Sequence, residues 1–567
     1  MHSGARDRVI FHVLRRMRLP LLLLIVVYAV SMIGLVLIPG VDAAGRPLRM
    51  DFFHAFYVVT YTISTIGFGE LPQAFSAAQR LWMTFTIYLG VTAWLYGIGA
   101  LIALLQEPAF RQVLRAGVFA AAVRRQNQPF YIVCGYGDTG GLVVQEMVEH
   151  GLHAVVLDID PERINELTLE DLRSDVPGYN ADAADPASLE LAGLRRANCA
   201  GVVAITNHDA VNLKIAITVK LLRPELPVIC RAETHDAQAN MASFGTDATI
   251  NPFDAFADRL AMAVHSPDLY LLTEWLTQPP GKPLPLRYQP PRGTWVLCGY
   301  GRFGKAVQRY LQYEGVQTVI IEKDLERTQA PPGTVHGRGN ENTTLREAHV
   351  ENAVGVVAGT DDDANNLSII ITARHLNPNL FLVGRQNLRQ NDSIFAAARI
   401  DLTMQRSRII ANRILSLIST PLLTDFLREA RHQSEQWVAA LVERLWPMTA
   451  NRTPDLWTVQ IDPPHAPVVH AALSAGHTVR LRHLLADPGA RDERLPGLAL
   501  LVERDEDKLL LPDEDLTLCK GDRILFCGRL GVEDRQRWTL NNRNSLRYVV
   551  TGEVRPEGLI WRWLKER

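Results

Sequence analysis

The sequence predicts an α-helical membrane portion, with two spanning helices and a re-entrant pore helix, followed by two α/β domains, the second carrying a C-terminal α+β lobe. Three observations predict it. Two long uncharged apolar runs, Leu19 to Ile38 and Leu81 to Leu105, lie near the N-terminus. The remainder repeats one strand–glycine loop–helix–strand unit twice, and a strand-rich tail follows the second copy alone. A chain of 567 residues has room for several domains. The net charge of −2 provides no basic surface for nucleic acid. Six cysteines, Cys134, Cys199, Cys230, Cys298, Cys519 and Cys527, show neither metal-ligand spacing nor a disulfide pattern. They read as thiols in a reducing compartment, most of them buried.

Both apolar runs are long enough to cross a bilayer as helices. The first exceeds the core of a secretory signal peptide. Between them, Phe52 to Ser64 is apolar but too short to span, and Thr65-Ile66-Gly67-Phe68-Gly69-Glu70 follows it. Irregular backbone at membrane depth is tolerated only inside protein or beside water, which predicts a re-entrant helix and loop. Arg6, Arg8, Arg15, Arg16 and Arg18 precede the first span, and Arg111, Arg115, Arg124 and Arg125 follow the second. The stretch between holds only Arg46, Arg49 and Arg80, offset by Asp42, Asp51 and Glu70. This bias predicts a multi-pass membrane protein with both termini cytoplasmic.

Rings of backbone carbonyls can replace the water around a dehydrated K+ ion. Gly67 and Gly69 provide the backbone freedom such a loop needs, and Thr65 adds a hydroxyl at its inner end. On Thr65, Gly67 and Gly69 the front of the chain resembles a prokaryotic two-span potassium channel, with Thr65, Ile66, Gly67, Phe68 and Gly69 as its selectivity filter. Phe68 stands where that family usually has Tyr, and Glu70 where it has Asp. One chain supplies one pore loop, so a homotetramer is expected. Gly90, Gly97 and Gly99 interrupt the inner helix. Gly90, at mid-span, is the candidate gating hinge, against the alternative of close helix packing.

The α/β repeat is sustained. Tyr131 to Gly137 corresponds to Trp295 to Gly301, and Val155 to Asp158 corresponds to Val319 to Glu322. Thr206, Asp209 and Asn212 match Thr360, Asp363 and Asn366. Arg231 matches Arg385, and Asp247 matches Asp401. Each copy reads strand, Gly-x-Gly-x-x-Gly, helix, then a strand ending in an acid, the Rossmann dinucleotide fingerprint in its required setting. The expected nucleotide-binding residues are Gly299, Gly301, Arg302, Phe303, Gly304 and Glu322 in the second copy. In the first they are Gly135, Gly137, Thr139, Gly140 and Asp158. An acid at the strand end favours ribose hydroxyls, hence NAD or an adenine nucleotide such as ADP or ATP over NADP. Arg302 beside the second loop favours a diphosphate, whereas Asp138 beside the first repels one. The second copy is therefore expected to be the firmer site. Asp138, Asp158 and Asp160 are candidate ligands for Ca2+, an oxygen-seeking ion.

Both copies resemble RCK domains, the regulators of potassium conductance. The resemblance implies a ligand-gated channel, not an enzyme, in which four chains assemble eight such domains into a gating ring answering to small nucleotides. An NAD-dependent dehydrogenase would explain the repeats but not the membrane front. The expected organisation is an arm over 1–18 and a pore domain over 19–107, with outer helix 19–38, pore helix 52–64, filter 65–69 and inner helix 81–105. A linker covers 108–128, the first N-lobe 129–252, one crossover helix 253–278 and a proline-rich linker 279–293. The second N-lobe covers 294–420, and 421–567 forms a helical connection and C-terminal lobe.

Overall fold

The computed structural model describes the backbone of residues 3–41, 46–69, 74–284 and 289–553, and their side chains except those of 3–16, 108 and 109. Glu70 and part of the proline-rich linker lie outside the described residues. The chain divides into two compact units, residues 1–125 and 126–567.

In the first unit, α1 (Ser3–Leu37), α2 (Phe52–Ile63) and α3 (Ala77–Gln106) form the predicted pair of long helices around a short one. The apolar spans are Met17–Leu37 and Ala77–Gln106. The arm expected over 1–18 is helical from Ser3, because nothing in it stops a helix running out of the span. Asp51 caps α2 by accepting from the His54 amide at 2.8 Å. Gly34 lets α1 meet α3 closely, since a Cβ there would sit 2.0 Å from the Trp82 indole, whose Nε1 donates to the Ser31 carbonyl at 3.1 Å. The linker after α3 is a helix, α4 (Pro108–Arg125).

Helix α3 runs through Gly90 without a break, and a Cβ there would lie 2.4 Å from Cγ1 of the buried Ile63 at the end of α2, the close packing that was the alternative to a hinge. Gly97 and Gly99 meet nothing within 4 Å.

The second unit opens with β1 (Phe130–Cys134), α5 (Asp138–Glu149), β2 (His153–Asp158), β3 (Gly178–Asn180), β4 (Cys199–Ala204), α6 (Asp209–Leu222), β5 (Val228–Arg231) and β6 (Ala248–Ile250). The strands pair in parallel in the order β3-β2-β1-β4-β5-β6, the doubly wound arrangement. Two helices follow, α7 (Pro252–His265) and α8 (Pro267–Thr277). The single crossover helix expected over 253–278 is thus broken at Ser266, because Pro267 has no amide to continue α7 and is suited to start α8.

The second copy has β7 (Trp295–Cys298), α9 (Arg302–Tyr313), β8 (Thr318–Glu322), β9 (Val335–His336), β10 (Gly355–Ala358), α10 (Asp363–Leu376), β11 (Phe381–Gln386) and β12 (Leu402–Gln405). Its sheet order, β9-β8-β7-β10-β11-β12, repeats the first. Then come α11 (Arg406–Ser419), α12 (Pro421–Ala430) and α13 (Glu435–Thr449), the last two forming the helical connection expected after residue 420. The lobe that ends the chain is an antiparallel sheet of β13 (Asp455–Gln460), β14 (Gly497–Arg504), β15 (Asp507–Leu510) and β16 (Arg523–Gly528) in the order β13-β16-β14-β15. Helices α14 (Val532–Asn541) and α15 (Arg543–Thr551) complete it. Five of the six cysteines are buried, and Cys519 is exposed.

The two copies exchange helices. Phe253, Phe256, Leu260 and Val264 of α7 are buried with Trp295, Phe303 and Leu311 of the second copy. Ile410, Ala411 and Ile414 of α11 return to Val143, Val144 and Met147 of the first. Leu272 and Trp275 of α8 join Leu422, Phe426 and Leu445 above the terminal lobe.

Gly90→Val should destabilise the pore unit by about 1–3 kcal/mol through overpacking, and adding Ile63→Ala should recover most of the loss. Thermal unfolding in detergent measures both.

Candidate functional site

The pore loop leaves the C-terminus of α2, whose dipole favours a cation. Positive φ recurs at alternate residues, Thr65 (61°), Gly67 (64°) and Gly69 (74°). Backbone of alternating hand aligns successive peptide groups, so that carbonyl oxygens share one side. The loop is tied to its helix by the Gly67 amide, which donates to the Tyr61 carbonyl at 3.1 Å, and by the Thr65 amide to Thr62 at 3.1 Å. The Tyr61 ring meets Phe68 edge-on at 6.3 Å. Ile66 and Phe68 are exposed on the single chain.

The glycine loops of the two copies have matching geometry. Gly135 and Gly299 take φ of +105° and +98°, and a Cβ on either would press on the strand end carrying Thr206 or Thr360. A Cβ on Gly140 or Gly304 would lie 2.0 Å from the carbonyl oxygen of Gly135 or Gly299. Around Gly137 and Gly301, by contrast, nothing lies within 4 Å. The first and third glycines therefore serve the fold, and the second leaves open the space a pyrophosphate takes at a helix N-terminus. The matched Thr–Asn pairs hold the strand ends together. Asn212 Oδ1 accepts from the Thr206 amide at 3.0 Å and its Nδ2 donates to the Arg231 carbonyl at 3.0 Å. Asn366 does the same for Thr360 and Arg385 at 2.9 and 2.7 Å. Asp209 and Asp363 accept from the amides of Glu233 and Asn387 just beyond β5 and β11, at 3.0 and 2.7 Å.

The cleft over the second loop measures about 370 Å³ and is basic, lined by Arg302, Lys305, Lys323, Arg327, Arg338 and Arg385 against Glu322 and Asp361. The cleft over the first measures about 570 Å³ and is acidic, lined by Asp138, Asp158, Asp160 and Asp182 against Arg163 and Arg406. The predicted ranking thus has a wider basis than the two loop residues.

Several expected contacts differ. Asp158 accepts from the amides of Tyr136 and Asp160 at 2.5 and 2.7 Å, and Glu322 from those of Tyr300 and Asp324 at 2.6 and 2.8 Å. Both acids brace the glycine loops, so a ribose must share their remaining lone pairs. Phe303 is fully buried beneath the cleft beside Phe256, and as a core residue it has no surface left for a nucleotide. Thr139 is buried and donates to Ser407 Oγ of α11 at 3.2 Å. Asp160 caps the helix after β2 by accepting from the Glu162 amide at 2.9 Å. No cluster of metal-ligating side chains occurs among the described residues, so Asp138, Asp158 and Asp160 do not converge as a cation site.

Two family models match. An ion channel domain covers residues 21–107, and a TrkA-N domain matches twice, over 131–252 and 295–405. The chain carries an ion channel domain followed by two TrkA-N domains. It is 28% identical over 220 residues to Potassium channel protein 1 of Methanocaldococcus jannaschii, covering 39% of this chain and 64% of that one. With Probable potassium channel protein 2 of the same organism it shares 23% over 205 residues, 36% of this chain and 58% of the relative. The voltage-gated potassium channel Kch of Escherichia coli is 23% identical over 187 residues, 32% of this chain and 42% of Kch. The chain thus spans less than two thirds of each relative's length. The solved "GsuK channel bound to NAD" aligns with 94% of this chain and 99% of its own at 14% identity and a TM-score of 0.45, a likeness too loose to carry an argument.

Between the two TrkA-N domains lies a cluster that their sequences do not announce. Glu233, 7% exposed at the end of β5, receives Arg302 of α9 at 2.8 Å and Arg406 of α11 at 2.9 Å, and also pairs with the buried Arg231. Arg302, expected beside the phosphates, is thus held by a carboxylate of the other TrkA-N domain and lies 5.5 Å above the Phe253 ring. The only hint in the repeat is an exchange of charge, since Asp138 matches Arg302 and Asn387 matches Glu233. Arg385 stacks on Phe253 and Phe303, and burial brings its guanidinium down to about 10. Burial alone would raise the Glu233 carboxyl, but Arg231, Arg406 and Arg302 hold it below its ordinary value.

A carboxylate lowered on folding stabilises at pH above its unfolded value and loses that contribution as pH falls through the folded one. Between about pH 5 and pH 3, the melting temperature of the wild type should therefore fall more steeply than that of Glu233→Gln, a difference that calorimetry in detergent measures.

Proposed function

We propose that the protein is a potassium-selective channel, a homotetramer in the prokaryotic cytoplasmic membrane with both termini cytoplasmic, opened or closed by a nucleotide of the NAD or ADP type. The observation that carries the reading is alternating positive φ at Thr65, Gly67 and Gly69 directly after a short helix between two spans. A ring of carbonyls needs several such loops, and one chain has one. The exposed Ile66 and Phe68 also suit a loop flanked by copies of itself.

The basic cleft over Gly299, Gly301 and Arg302 is the favoured nucleotide site, because it has space at Gly301 and cations for a diphosphate. Ca2+ is not part of this reading. Nucleotide acts by favouring whichever arrangement of the α/β unit binds it more tightly. Driving a mostly closed population to mostly open takes about 5.5 kcal/mol of differential binding, or about 1.4 kcal/mol from each of four chains.

Vesicles reconstituted with the protein should take up rubidium far faster than lithium, with a rate that responds to NAD or ADP. Equal uptake of both ions under every nucleotide condition would refute the pore reading. Gly301→Leu places a side chain in the pyrophosphate space without touching the fold, and should weaken ADP binding by at least about tenfold, or about 1.4 kcal/mol. Gly137→Leu should cost less. Titration calorimetry on the full chain separates the two.

A further inference from the structure

The register that matches Arg231 with Arg385 continues into the exchanged helices. It matches Arg259 of α7 with Arg413 of α11, the Ser266–Pro267 break with Thr420–Pro421, and Glu274 of α8 with Arg428 of α12. In the first copy the repeat is self-satisfied, for Arg259 lies 3.3 Å from Glu274. In the second copy the acid has become an arginine. Asp258 and Thr277 likewise correspond to Asn412 and Arg431. The repeat has thus lost two acids and gained two cations at one place, with no change in backbone plan.

That place is a cleft of about 450 Å³ between α7, α11 and α12, to which Arg259, Arg413, Arg428 and Arg431 all contribute. The volume is in the range of small-molecule sites. Two acids also line it, one paired outside the cleft and one within it. Asp254 takes Arg309 at 2.5 Å, and Asp258 takes Arg431. Arg428 reaches outward to Asp425 at 3.1 Å. Arg413 has neither an ion pair nor a hydrogen bond among the described residues, and burial, Arg259 and Arg431 all depress its guanidinium. Two hydroxyls lining the same cleft, Ser416 Oγ and Thr424 Oγ1, are buried without a partner, and Ser416 is only 6% exposed. Uncompensated buried charge is costly unless something else supplies the counter-charge. Arg413 is thus an unpaired guanidinium beside two idle hydroxyls, flanked by three arginines that each already have a carboxylate partner.

We propose that this cleft binds a small phosphorylated anion, with Arg413 as its central contact, Arg428 and Arg431 at its mouth, and Ser416 and Thr424 as hydroxyl donors. The site is separate from both glycine loops and does not depend on the nucleotide reading. Arginine suits it because the planar guanidinium grips a phosphate through two parallel hydrogen bonds.

Inorganic pyrophosphate titrated calorimetrically into the full chain in detergent tests the proposal. Arg413→Gln removes the central contact. Arg428→Glu rebuilds the Arg259–Glu274 pair of the first copy, so it keeps the fold while closing the site, with a melting temperature at or above that of the wild type. The titration is run in Gly301→Leu, where the glycine-loop cleft is obstructed, and the expected result is one saturable site per chain whose affinity falls at least about tenfold when either arginine substitution is added. Absence of saturable binding in Gly301→Leu, or an affinity unchanged by either added arginine substitution, would each overturn it.

Discussion

Each TrkA-N sheet is covered on one face by a helix that belongs, by sequence, to the other repeat. Helix α7 leaves the first domain to bury Phe253, Phe256 and Leu260 against the second, and α11 comes back to bury Ile410 and Ile414 against the first. A buried side chain of this kind is worth about 1.5–3 kcal/mol, so losing one exchanged helix removes on the order of 10 kcal/mol, the whole stability of an ordinary domain. The two domains therefore cannot part without both cores opening. Any rearrangement within the pair has to be a pivot or slide of packed helices.

That constraint explains where the polar cluster sits and why its composition matters. Apolar helix packing alone tolerates small shifts of register, but Glu233 does not. It is nearly buried and receives arginines from the end of its own strand, from α9 and from α11. Stripped of all three arginines, Glu233 would be an uncompensated and nearly buried charge, a situation that typically costs about 3–5 kcal/mol. The cluster thus fixes how the domains meet rather than how tightly each folds. It is asymmetric because the repeat has exchanged its charges, with Arg302 opposite Glu233 on one side and Asp138 near Asn387 on the other.

Most of the fold was legible in the sequence, because it is written in local pattern. Uncharged runs gave the spans, the paired Gly-x-Gly-x-x-Gly loops gave the two sheets, and Gly67 and Gly69 marked two residues that take positive φ, while Thr65, expected only to add a hydroxyl, takes it as well. The break at Pro267 was equally written, but a long apolar run concealed it. What could not be read depends on contacts distant in sequence. Gly90 faces Ile63, Phe303 lies under α7, and Arg302 meets Glu233, each pairing set by how elements pack. The acids at the strand ends also hold the amides of Tyr136 and Tyr300, a contact that depends on how the glycine loop folds back and that the sequence pattern does not state.

The same contacts define what a ligand must do to be felt. Arg302 stands at the start of α9, where it borders the basic cleft, yet its guanidinium is already committed to a carboxylate across the domain boundary. A phosphate that recruits Arg302 does so against Glu233, and Glu233 then keeps only Arg231 and Arg406. Arg406 in turn borders the acidic cleft of the first domain. An anion that drew Arg302 away from Glu233 would thereby change the field in the other cleft through a single carboxylate. A ligand without a negative group facing Arg302 leaves that balance untouched however tightly it binds, since only differential interaction shifts an equilibrium.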